Sequence, residues 1–78
     1  MRNPFFFLFA KSAVEERVAE YVIREHHAGR NLNAILEDHF VVNRLGPRQV
    51  ARLLEREDVI HAVGHDDAEA ARATVTQA

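Results

Sequence analysis

The chain has no cysteine, no tryptophan, one lysine (Lys11) and one serine (Ser12). Without thiols it can form neither a disulfide staple nor a zinc site built on thiolates. With no cysteine and a lone serine, conventional nucleophile triads are not expected. There is also no glycine-rich loop to cradle a phosphate. Long apolar runs are missing: Phe5-Phe6-Phe7-Leu8-Phe9-Ala10 spans six residues and is closed by Lys11. A secretion signal needs an apolar region of about 7–15 residues and a membrane span about 20, so neither is expected. No charge of one sign prevails either, since ten basic and twelve acidic residues are interspersed and sum to −2. Binding to nucleic acid rests on neutralising phosphates with clustered Lys and Arg, and that excess is absent.

These absences narrow the ways in which 78 residues can be stabilised. The length fits one domain, and a domain of this size buries only about 60% of the surface its unfolded chain exposes. Helix packing, a metal held by His and carboxylates, or self-association must supply the rest. A cysteine-free composition favours a reducing compartment, and the expected location is cytoplasmic.

What is present points to helices. Ser12-Ala13-Val14-Glu15 has the form of a capping box, and Val14, Val18, Tyr21 and Val22 recur at helical spacing up to the terminator Gly29. This predicts a helix over 12–28. Beyond it, a shift of eighteen residues lays Arg30 on Arg48, Leu32 on Val50, Ile35-Leu36-Glu37 on Leu53-Leu54-Glu55, Val41-Val42 on Val59-Ile60, Leu45 on Val63 and Gly46 on Gly64. Within each copy the apolar phase slips. With Leu32 at zero, Ile35 and Leu36 lie at about 300° and 40°, but Val41 falls near 180° and Leu45 near 220°. One continuous helix cannot bury all of these, so each copy, 30–46 and 48–64, reads as helix, break, helix. Asn31 and Asp58 are expected caps, and Pro47 suits a first helical position. The Ala-rich stretch over 65–78 is expected to dock weakly and to fray from about residue 72.

Four features bear on function. Phe5, Phe6, Phe7, Leu8 and Phe9 carry about 1.5–3 kcal/mol each if fully buried. A strand sends them to two faces and a helical turn spreads them round the axis, so one small core cannot cover all five. They either fold back in part on this chain or dock into a partner, most simply a second copy. The second feature is Arg48, Arg52 and Arg56, spaced for one helix face. With the preceding Gly46-Pro47 they resemble the turn and recognition helix of a helix-turn-helix motif. They equally suit an acidic protein surface, and the acidic surroundings favour that reading. The third is the histidines: His61 and His65 have the spacing of two metal ligands on one helix, but Gly64 intervenes and no third ligand is fixed. His26 and His27 suit the negative end of the first helix, and His39 a helix end. The fourth is the acidic pairs Glu37-Asp38 and Glu57-Asp58, which read as solvated faces and caps.

The expectation is therefore an all-α domain of four or five helices, one long N-terminal helix packed on two similar helix-break-helix units, with an apolar segment over 1–11 and a polar tail after residue 64. Its expected function is non-catalytic protein–protein interaction, as an accessory subunit, adaptor or regulator, without cofactor, metal or transmembrane span. Phe5 to Phe9 are the expected contact, with Arg48, Arg52 and Arg56 a second one. The alternative is a dimeric DNA-binding regulator using a helix at 47–56.

Overall fold

A computed structural model describes the backbone of residues 6–77 and the side chains of residues 13–75. It is all-helical over that span, in the order α1 (Phe6–His27), α2 (Leu32–Leu36), α3 (His39–Val42), α4 (Pro47–Leu53), α5 (Glu57–Val63) and α6 (His65–Gln77). Six helices replace the expected four or five. Phe5 lies outside the described residues, as do the side chains of Phe6, Phe7, Leu8 and Phe9.

The boundaries follow local chemistry. α1 ends as expected: Gly29 takes φ 102°, which frees its amide to donate to the His26 carbonyl and that of Arg30 to the Glu25 carbonyl. Its start differs. The backbone is already helical at Phe6, so Ser12 lies inside the helix and does not cap it. Asn31 caps α2, its Oδ1 accepting from the Asn33 amide at 2.8 Å. Asp38 caps α3 in the same way, from the Phe40 amide at 3.1 Å. Pro47 opens α4, while the Gly46 amide donates to Gln49 Oε1 at 2.8 Å. α5 begins before the expected Asp58 cap: Arg56 is its N-cap and Asp58 already sits in its first turn, beside Glu57. Two carboxylates there face the positive end of the helix dipole.

The breaks fall at 37–38 and 54–56, and the N-caps Asp38 and Arg56, eighteen residues apart, have nearly the same backbone angles (φ −66°, ψ 143° and φ −69°, ψ 141°). Leu32 and Val50, Ile35 and Leu53, Leu36 and Leu54, Val41 and Val59, and Leu45 and Val63 are all buried. The first helices of the two units differ, at five and seven residues.

Val18, Ala19 and Val22 bring α1 into this core against α2 and α5. α6 corrects the expectation of a weakly docked tail. It packs on α4 and α5, and Ala68 and Ala71 are almost wholly buried, 2% and 3% exposed. Alanine contributes little apolar area but lets two helix axes approach closely, so small side chains here dock the helix. Among the described residues, no polar or charged side chain is buried, and no helix is long and apolar enough to cross a membrane.

Candidate functional site

Each candidate is fixed by a different element. Along α1, the residues with described side chains enter the core only at Val18; Ala13, Glu16 and Arg17 are exposed, and Val14 is 40% exposed. The Phe6–Phe9 stretch occupies the first turn of the same helix, ahead of this exposed portion.

The arginines do not form one face. α4 ends at Leu53, so Arg56 lies beyond it rather than on a helix at 47–56. Its guanidinium reaches Asp58 at 3.0 Å, Glu16 at 3.2 Å and Glu15 at 3.5 Å. The Asp58 carboxylate does most to hold Arg56 charged, and in return lies below its ordinary carboxylate range. Arg56 therefore ties the start of α5 to α1. Arg48 and Arg52 are exposed on α4, one turn apart, with no ion-pair partner among the described residues.

A polar and aromatic cluster joins α1 to the α2–α3 break. The Tyr21 hydroxyl donates a hydrogen bond to Asp38 Oδ2. Arg30 Nη1 lies 3.1 Å from both Asp38 and Glu25 and 3.3 Å from the Tyr21 oxygen. Tyr21 stacks on Phe40 with ring centroids 4.2 Å apart, and the Arg44 guanidinium covers Phe40 at 3.9 Å. The Tyr21 hydroxyl, the Phe40 amide and Arg30 hold the Asp38 carboxyl down at about 2, while Asp38 and burial push the Tyr21 phenol above 10. Both shifts lead away from neutrality, opposite to what a general acid or base needs. The arrangement works as a clamp. Aromatic pairing and ion pairing each had a visible residue type, but the separation of seventeen positions from Tyr21 to Asp38 hides the contact from any local pattern.

Gly64 at φ 99° separates the last turn of α5 from α6, so His61 and His65 lie on different helices. His61 instead lines a shallow hollow with His27, Glu57 and Asp58. No group of three metal-ligating side chains converges among the described residues.

One feature had no counterpart in the sequence reading. A groove of about 330 Å³ opens between α2, the start of α4 and the last turns of α6. Its floor is Leu36, Leu45 and Val50, and Val42, 54% exposed, stands among its lining residues. The lining comes from four separate helices, α2, α3, α4 and α6, and their junctions, which no single periodicity displays. Comparison with protein-family models, curated proteins and solved structures finds no match.

Proposed function

We propose that the chain is a non-catalytic protein-interaction module of the cytoplasm, a small accessory subunit, adaptor or regulator that associates through Phe5, Phe6, Phe7, Leu8 and Phe9. The observation that carries this reading is the course of α1. It is helical from Phe6, yet among its described side chains the first buried one is Val18. A helix rises about 1.5 Å per residue, so Phe6 lies roughly 18 Å along the axis from Val18, and Ala13, Val14, Glu16 and Arg17 between them are exposed. Apolar side chains placed there gain most from a surface outside their own core. Burying two or three further rings is worth several kcal/mol before the cost of association is subtracted. The eighteen-residue correspondence is, on this reading, a structural duplication that supplies a scaffold for α1. Replacing Phe6→Ser with Phe7→Ser converts an oligomer to a monomer on a sizing column with light scattering. An unchanged mass would remove the segment from the contact.

The alternative, a DNA-binding regulator using α4, draws support from Arg48 and Arg52, exposed and without an ion-pair partner among the described residues. The engagement of Arg56 with three carboxylates of its own chain counts against it. Our reading predicts only weak, non-specific duplex binding at physiological salt. Sequence-specific retardation at nanomolar protein would reverse the ranking.

A further inference from the structure

We propose that the groove between α2, α4 and α6 receives the aromatic N-terminal segment of a second copy of this chain. The inference rests on the association reading above and names the surface that meets the segment.

Three observations select this occupant. The first is size and chemistry. A cavity of about 150 Å³ lined by apolar side chains holds one benzene-sized ring. The groove, at about 330 Å³ and floored by Leu36, Leu45 and Val50, has room for about two. The sequence Phe6-Phe7-Leu8-Phe9 offers rings of that size in succession.

The second is charge. Glu37 is the one charged residue among those lining the groove, and its carboxylate has no ion-pair partner among the described residues. The aromatic run is followed directly by Ala10 and Lys11, the single lysine of the chain. An apolar segment ending in a cation is the complement of an apolar groove edged by a lone carboxylate.

The third is topology. α1 meets the α2–α3 break at Tyr21, which bonds Asp38, and reaches the start of α5 at Glu15 and Glu16, which pair with Arg56. The groove opens at the near end of α4, beside Gly46 and Pro47. Following α1 from Glu15 back to Phe6 carries the chain about 13 Å further along the same axis, past the Arg56 contact and further from the Tyr21 contact with the α2–α3 break, whose Glu37 lines the groove. The segment of another molecule has no such constraint. Two copies that exchange segments reciprocally satisfy both grooves and close as a dimer.

The natural absence of cysteine gives a clean test on the full chain. Lys11→Cys and Glu37→Cys variants are mixed in equal amounts, oxidised mildly, and the linked peptides are mapped. A disulfide between position 11 of one copy and position 37 of the other is expected as the main product. Predominant linkage of position 11 to itself, with the Glu37→Cys chain left unlinked, would overturn the inference while leaving association through the segment standing. In parallel, Val42→Glu changes an exposed lining residue that folding does not need buried. It is expected to weaken dimerisation at least tenfold with helical circular dichroism unchanged. A dimer of unaltered affinity with Val42→Glu would also overturn it, and a monomeric unmodified chain would overturn both readings together.

Discussion

Asp38 joins α1, Arg30 and the start of α3. It caps α3, accepts from Tyr21 and pairs with Arg30, and these contacts hold its carboxyl at about 2. Because the folded value lies below the ordinary carboxylate value near 4, the unfolded chain binds the extra proton between the two. The stabilisation is present above about pH 4 and is lost as pH falls through about 2. Thermal melts from pH 6 down to pH 2 are predicted to show an acid-induced loss that Asp38→Asn largely removes, at the cost of lower stability at neutral pH. An identical acid limb in the variant would show that another carboxylate governs it. Arg56 gives the same lesson about what a sequence displays. Its spacing from Arg48 and Arg52 fits one helix face, but the helix stops at Leu53 and three carboxylates claim the side chain. Local spacing registers neither event, because the helix stop and the partners on α1 are set by tertiary packing.

At the scale of elements, α6 is the helix whose role the residues state least openly. Ala68, Ala71 and Val75 stand at helical spacing, but two of the three are methyl groups, and size alone suggests a loose tail. Close approach to α4 makes Ala68 and Ala71 core with Val75 packed partly buried against it, and Arg72 adds an ion pair to Glu55 at 2.6 Å. Removing residues 65–78 is therefore predicted to abolish the cooperative melt, since Leu53, Leu54 and Val63 would lose cover. Ala71→Leu in the intact chain should cost about 1–3 kcal/mol by overpacking, measured by urea unfolding. A deletion that melts like the full chain would return α6 to the status of a tail. The remaining elements were more legible. The end of α1 at Gly29, the Asn31 cap, Pro47 at the head of α4 and both mid-unit breaks all follow from residue types and a slipped apolar phase. The start of α1 was hidden, because a run of four phenylalanines and a leucine has no period, and a capping box at Ser12 imitates a beginning. The groove was hidden for another reason, being assembled from four helices and their junctions, spread from Asn33 to Val75.

For the molecule as a whole, the central question is whether so small a chain stands alone. At 8.9 kDa it buries an apolar core without disulfides, and α1, about 33 Å long by helix geometry, exceeds two of the three molecular dimensions of 40, 26 and 22 Å. On the association proposed above, a second copy covers the phenylalanines in the first turn of this helix. Sedimentation equilibrium of the unmodified chain, from micromolar to millimolar concentration, tests this most directly. Association through the N-terminal segment predicts a mass approaching twice 8.9 kDa with rising concentration, fitted by a single monomer–dimer equilibrium. A soluble, cooperatively folded species of 8.9 kDa across the whole range would contradict it.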